Sequence, residues 1–435
     1  MKNKEILEAR LNQIVKTLES VETLIDNLDF AIPKKAKETV LKMIKSDEIN
    51  EIITGIKEKR PPRLVLMGRT GVGKSSLINA IFGKYLAKTS AIEVGTKVYE
   101  SYNFKSNGEV IFEIIDTRGI KESLQVKDTS AEEDLKKVIE EFEPDAFLLL
   151  TNGADRSTLK EDSLYLKEIY EYLEIEVPLI TVITRIDDIE PSRIKEPGRY
   201  TEKKKANIKI KEEQVHKVLE EVGINDSFII PVSSYIEWSH EEPEILSPEE
   251  QSQLTIEFDG RYNIDKLVNF LEENMDFRAA VYLMLTNKIE IAIKKIANRM
   301  VKSFSMASAA VAVTPIPLSD IAILIPIQII EVTIIAYLNG EQINGKVARE
   351  FIVAVGGVAA LGAALRFVAQ QGVKLLNLVV PTSGSVISSA IAYSGTYSIG
   401  QAAIAYYIDG KTTDEAKDVL QKSKKEAKEE FEGCS

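Results

Sequence analysis

Eight consecutive residues, Gly68-Arg69-Thr70-Gly71-Val72-Gly73-Lys74-Ser75, set three glycines, a lysine and a hydroxyl in the spacing of a Walker A loop. Glycine permits the tight turn whose backbone N–H groups face an anion, and a helix starting near Ser75 would add its positive end. The apolar run 64–67 just before the loop reads as the strand that such a loop needs. The expected chemistry is phosphate binding. Lys74 would reach between the β- and γ-phosphates of a nucleoside triphosphate, and Ser75 would give its hydroxyl to magnesium. Ser76 and the residues of the loop itself complete the expected cradle. Asp116 ends the apolar run 111–115, which puts a carboxylate at the sheet edge beside the same loop, as an anchor for magnesium through a water. Gly119, three residues on, can bring a backbone N–H to the γ-phosphate. Loss of that phosphate would free 117–130 to rearrange. A threonine is also wanted before the edge hairpin to close the magnesium shell. Thr89, Ser90 and Thr96 are available, and Thr96, which follows Gly95 and precedes the strand, is the expected one. Lys74, Thr96 and Gly119 are thus the residues expected to act on the reacting phosphate.

A second constellation follows the apolar run 180–183, at Thr184-Arg185-Ile186-Asp187. A carboxylate at Asp187 can accept from both N1–H and the exocyclic amine of guanine, and adenine offers neither donor there. A paired contact of this kind discriminates by roughly 1 to 3 kcal/mol. GTP or GDP with Mg2+ is therefore the expected ligand set. An ATP-using enzyme is the competing reading of the same phosphate loop, and Asp187 weighs against it.

These segments together resemble the translation-factor-like class of P-loop GTPases, in particular its Era- and TrmE-like branch. Gly73-Lys74-Ser75-Ser76-Leu77-Ile78-Asn79-Ala80 looks like the start of the first helix of that class, and Asp116-Thr117-Arg118-Gly119 is similar to its second phosphate motif. Thr184-Arg185-Ile186-Asp187 is similar to its Asn/Thr-Lys-x-Asp base motif, and Val232-Ser233-Ser234 to the motif whose backbone contacts the guanine oxygen. The resemblance spans about residues 61 to 275 and implies a GTPase with Ser233 and Ser234 at the base. Two positions depart from it. Arg185 replaces the lysine whose stem lies on the base, and arginine supplies a comparable stem with a planar head. Ile120 stands where Ras-type enzymes carry the glutamine that positions water, so hydrolysis is expected to be slow or partner-stimulated. A module that holds GTP without turnover is the alternative.

Short apolar runs at 64–67, 111–115, 146–150, 179–183 and 228–232 alternate with amphipathic segments, which predicts an α/β sheet with helices on both faces. With the resemblance, the expected architecture is a Ras-like P-loop GTPase sheet. Runs 99–104 and 110–115 around Asn107-Gly108 read as an antiparallel hairpin at its edge. Before the sheet, residues 3 to 59 carry helical periodicity broken at Pro33, an αα arm that packs on the next domain or binds a partner. The expected divisions are a helical arm 1–60, a GTPase domain 61–277, a helical domain 278–411 and a charged, solvated tail 412–435. Inserts 191–215, basic and polar, and 236–260, acidic with Trp238, read as surface loops with local helices.

After Lys302 the chain turns apolar, with no charge from Leu375 to Ile408. Ser308-Ala309-Ala310-Val311-Ala312-Val313-Thr314-Pro315-Ile316-Pro317-Leu318-Ser319-Asp320 looks like the opening of the DUF697 helical domain, and Gly400-Gln401-Ala402-Ala403-Ile404-Ala405-Tyr406-Tyr407 like its close. That resemblance covers about 105 residues and implies association with GTPases but no chemistry. The runs 321–338 and 375–408 are long enough for membrane helices, and small residues such as Gly395 and Gly400 would let helices approach closely. Glu331 and Pro381 interrupt them, which favours a buried bundle, with Glu331 expected at a helix surface. Both readings stand at this stage: a packed bundle, or membrane contact through 305–410.

A net charge of −12, with no aromatic residues among the few basic clusters, leaves no dedicated nucleic-acid site. The single cysteine, Cys434, allows no intrachain disulfide, and His216 and His240 have no neighbours that would make a zinc site. The charged N-terminus does not read as a secretory signal. A cytoplasmic location is expected, with contact at the cytoplasmic face of a membrane as its variant. A homodimer or a protein partner is the expected class of macromolecular contact.

Overall fold

The computed structural model describes residues 2–28, 32, 34–69, 71–86, 88–92, 100–106, 109–116, 140–153, 159–161, 163–164, 167, 177–225, 227–285, 289–312, 319–356 and 385–433. Its contacts divide the chain into two compact units, Arg60–Leu283 and a discontinuous one made of Met1–Lys59 with Met284–Ser435.

The first unit is built on a sheet whose central strands read as unbroken apolar text. β1 (Arg63–Met67), β5 (Ala146–Asn152) and β6 (Leu179–Thr184) are buried along most of their length, as strands covered on both faces must be. With β2 (Lys88–Ile92), β3 (Glu100–Ser106), β4 (Glu109–Asp116) and β7 (Phe228–Pro231) they form a sheet of order β2-β3-β4-β1-β5-β6-β7. The five strands β4, β1, β5, β6 and β7 run parallel, whereas β2 and β3 add an antiparallel edge. The hairpin expected at that edge is present as β3 and β4, and β2 extends it by a strand that the sequence reading did not separate. Order reverses at β1: the chain goes from β1 to the β4 side, then crosses to β5, and such a switch point leaves a crevice at the carboxyl ends of the strands.

Helices α1 (Lys2–Glu19), α2 (Val21–Asp26), α3 (Lys34–Ile44) and α4 (Asp47–Lys57) precede the sheet, and α5 (Lys74–Phe82) follows β1. Helix α6 (Glu202–Glu221) lays Ile208, Val215 and Leu219 into a core that includes Val65, Met67, Phe147, Leu149 and Ile183 of the sheet. The first insert, expected as a surface loop with local helices, contains the start of α6, whereas the two ends of the second pair in a two-stranded sheet, β8 (Ser233–Trp238) with β9 (Ile256–Tyr262), that was not expected. Helix α7 (Ile264–Asn274) comes next, and the division between the units falls within α8 (Phe277–Leu285).

The discontinuous unit adds α9 (Ile289–Ala312), α10 (Ser319–Asn339), α11 (Gly345–Ala354), α12 (Ser385–Ala403) and α13 (Thr413–Gly433). Helix α10 is contacted by α1, α3, α9, α11 and α12. A helix contacted by five others keeps little solvent face to make polar, and this accounts for the apolar text of its buried residues. Among the described residues no helix is long and apolar enough to cross a membrane. The N-terminal arm is built into this unit: Arg10 donates to the Leu338 carbonyl at 2.9 Å, and Arg299 on α9 reaches Glu51 on α4 at 2.9 Å. Helix α13 buries Ala416, Leu420, Ser423 and Ala427, a stripe at helical spacing, and stacks Phe431 on Tyr393 of α12.

Glu331 differs from expectation. It lies inside the bundle at 1% exposure, and neither carboxylate oxygen has a partner among the described residues. Room for it comes from Gly400 on α12, where an added Cβ would stand 2.6 Å from Glu331 Oε1 and 2.5 Å from a Val301 methyl. Burial pushes this carboxyl well above the ordinary carboxylate range. The neutral acid costs far less to bury than the anion, which is how a glutamate is tolerated there.

Candidate functional site

Strand β1 ends at Met67, and the chain turns at once through Gly68 at φ +152°, Gly71 at +76° and Gly73 at +100°. Gly68 is needed for space as well as conformation, since a Cβ there would lie 2.9 Å from the Leu150 carbonyl oxygen on β5. Helix α5 then begins at Lys74 behind Gly73, with no side-chain cap. The N–H groups of its first turn are left for another acceptor, and an anion satisfies them best. Lys74 folds back over the loop and donates to the Gly68 carbonyl at 2.5 Å, so its ammonium lies at the mouth of the turn. Ser75 and Ser76 are exposed on that first turn, as is Arg69 just before it, which pairs with Glu161 at 3.4 Å.

Asp116 closes β4, its backbone paired with Leu66 on β1 and Glu100 on β3. Thr89, the rival to Thr96, sits in β2 opposite Asn103. Thr70, Thr96 and Gly119, together with Arg118 and Ile120, lie outside the described residues.

The second constellation arrives from β6. Thr184 donates its hydroxyl to the Val72 carbonyl at 2.6 Å, with the Thr151 carbonyl at 3.2 Å, so the end of β6 is bonded directly to the phosphate-type loop. Arg185 follows in the left-handed region at φ +54° and is exposed. Bonds from Ile186 N–H to the Val232 carbonyl and from Val232 N–H to the Ile183 carbonyl bring the 232–234 segment alongside. Asp187 is 5% exposed, and its carboxylate accepts from the Ser233 hydroxyl at 3.0 Å and the Lys195 ammonium at 2.8 Å. Ser234 Oγ is buried with no partner among the described residues. The buried Asp187 carboxylate, and the uncapped first turn of α5 behind three positive-φ glycines, are features that a nucleotide base and its phosphates would satisfy. Ser75 and the strand-end position of Asp116 fit a hard cation that is completed by phosphate and water oxygens. No His, Cys, Asp and Glu group able to hold a metal alone occurs among the described residues.

The sequence reading missed two residues here. Lys204 is fully buried and donates to the carbonyls of Asp187, Ile189 and Pro191 at 2.7, 2.8 and 3.1 Å, using all three of its protons on the backbone after β6. Its ammonium also lies 4.8 Å from the Tyr200 ring centre. Burial lowers the pKa of this lysine, and burial followed by the charge of Asp187 raises that of Tyr200. Lys204 shares the helical phase of Ile208, Val215 and Leu219, so periodicity could have marked it as inward. Lys195 lies in a polar stretch with no such phase.

Residues 63–185 match the family described as "50S ribosome-binding GTPase". The chain is 34% identical over 164 residues to the tRNA modification GTPase MnmE of Campylobacter jejuni, a match covering 36% of this chain and 36% of that protein. It is 31% identical over 116 residues to the Magnetosome membrane protein 22 of Magnetospirillum gryphiswaldense, covering 26% of this chain and 59% of the relative. The match thus spans little more than a third of the MnmE length. A crystal structure of an Era variant from Aquifex aeolicus bound to GDP and AlF4− aligns at 21% identity over 56% of this chain and 66% of that one, with a TM-score of 0.25, too low to add to the argument. The matched segment runs from β1 to the turn after β6, so it contains the glycine cradle and reaches Arg185. The likeness is therefore to GTPases over this segment, which lies on the largely parallel sheet described above.

Proposed function

We propose that the chain is a magnesium-dependent GTPase that uses the bound nucleotide as a conformational switch acting on its helical unit. The observation that carries this reading is the 2.6 Å bond from the Thr184 hydroxyl to the Val72 carbonyl, which joins the base-type loop to the phosphate-type loop in one rigid site. Asp187 takes the guanine edge, with the Ser234 segment against the opposite side of the base. Lys74 and the first-turn amides of α5 hold the β- and γ-phosphates, where positive charge is most effective as the γ-phosphate separates. Ser75, Asp116 and Thr96 hold magnesium, which supplies charge neutralisation on the phosphates when bound. Gly119 and Thr96 order their loops only in the triphosphate state. We take the described parts of the apolar region, 305–312, 319–356 and 385–410, as packed helices of a module of the DUF697 type, because α10 is contacted by five helices of its own unit.

The test is phosphate release from GTP by wild type and Lys74→Ala in magnesium buffer. Wild type should release phosphate slowly, and Lys74→Ala should fall to background with triphosphate affinity lower by at least about tenfold. Tight GTP binding without phosphate release above the Lys74→Ala level, alone or with an added partner, would replace the hydrolase with a GTP-holding module, the reading that Ile120 keeps open.

A further inference from the structure

We propose that Lys195 is a positioning residue for guanine recognition, holding the Asp187 carboxylate so that its unused acceptor positions face the base. The inference rests on the guanine reading of Asp187 and adds to it a residue from the segment that follows.

A carboxylate offers about four acceptor positions, two on each oxygen. In Asp187 one position on Oδ1 is taken by the Ser233 hydroxyl at 3.0 Å, and one on Oδ2 by the Lys195 ammonium at 2.8 Å. About one remains on each oxygen, which is the number that N1–H and the exocyclic amine of guanine require. Ser233 alone would leave the carboxylate free to turn about the bond to that hydroxyl. Lys195 removes this freedom from the other side.

Lys195 is itself held on three sides. Its ammonium lies 2.6 Å from Asp188 Oδ1 and 5.3 Å from the Tyr235 ring centre, besides its bond to Asp187. The two carboxylates raise its pKa against the opposing effect of burial, so the ammonium stays charged at neutral pH. Below it, Lys204 fixes the backbone of Asp187, Ile189 and Pro191. Two lysines from one segment therefore fix the recognition loop, Lys204 through its backbone and Lys195 through its carboxylate.

Inosine diphosphate is the informative probe, because it keeps N1–H and lacks only the exocyclic amine. Misalignment of the carboxylate should weaken the second of the two bonds and leave phosphate contacts alone. Titrating the full chain with GDP, inosine diphosphate and ADP should show wild type preferring GDP over inosine diphosphate by at least about tenfold, the value of a charged hydrogen bond. In Lys195→Met that preference should fall to within about threefold of unity, with Lys195→Arg restoring most of it. Asp188→Asn, which removes one anchor of Lys195 and leaves the Asp187 carboxylate itself unaltered, should shift the ratio in the same direction by less. An unchanged ratio in Lys195→Met and Asp188→Asn would overturn the proposal, as would tighter GDP binding in Lys195→Met, which would make the lysine an obstacle. If Lys195→Met does not fold, Asp188→Asn decides alone. Wild type that binds ADP as well as GDP would defeat the guanine reading itself, a result distinct from an unchanged ratio in a guanine-selective protein.

Discussion

At the scale of single residues, the site depends on a few short bonds between segments far apart in sequence. Thr184→Val keeps the shape of the side chain and removes its hydroxyl, leaving the Val72 carbonyl without its 2.6 Å donor inside the loop. An orphaned buried acceptor costs about 1 to 3 kcal/mol, so the variant should unfold at lower urea and bind GDP more weakly, both measurable by titration. An unaffected GDP affinity would show that the loops are not coupled through this bond. The glycine cradle, Lys74 and Asp187 were all legible in the sequence, since each has a fixed spacing from a strand end and a side-chain type demanded by its chemistry. Lys195 was not legible, because what distinguishes it from its exposed neighbours is a contact made only after the chain has folded. Thr96 and Gly119 fall outside the described residues, so their roles remain part of the proposal.

At the scale of elements, the apolar C-terminal text has a packing explanation that its composition alone could not supply. A helix apolar all round must be enclosed, but which elements enclose α10 depends on long-range packing, and two of them, α1 and α3, come from the opposite end of the chain. Gly400 marks the closest approach. Gly400→Ala should destabilise the helical unit by about 1 to 3 kcal/mol, because the added methyl meets Val301 at 2.5 Å and Glu331 at 2.6 Å within a packed interior. Glu331 gives this unit a pH dependence. Its native carboxyl keeps its proton well above 4.5, the ordinary value at which the unfolded chain ionises. Between those two points the native state binds one proton more than the unfolded state, so stability falls as pH rises, by up to about 1.4 kcal/mol per pH unit. Below the unfolded value the contribution is fully present and flat. Urea titrations of wild type and Glu331→Gln from pH 4 to 8 should show the variant gaining on wild type as pH rises, since glutamine resembles the neutral acid and cannot ionise. Parallel curves would mean that Glu331 is ionised in the fold or not buried.

At the scale of the molecule, the α/β unit interrupts the helical unit, and the chain passes between them at both ends, near residues 59–60 and 283–284. A switch in the first unit thus has two covalent routes to the second. If the nucleotide state is read there, amide exchange in α9 should differ between GDP and a non-hydrolysable GTP analogue. A shift from 1:99 to 99:1 needs about 5.5 kcal/mol of differential binding, so a partial change in protection is the expected outcome. Identical exchange in both states would sever the switch from the helical unit and leave nucleotide binding intact. The central claim is that Asp187 and the Gly68–Lys74 cradle form one guanine-nucleotide site. Calorimetric titration of the full chain with GTP analogue, GDP and ATP in magnesium buffer tests it most directly. Guanine nucleotides should bind at least about tenfold more tightly than ATP, with Asp187→Ala removing the difference and Lys74→Ala weakening the triphosphate. ATP binding equal to or tighter than GTP analogue, with Asp187→Ala indistinguishable from wild type, would contradict the account.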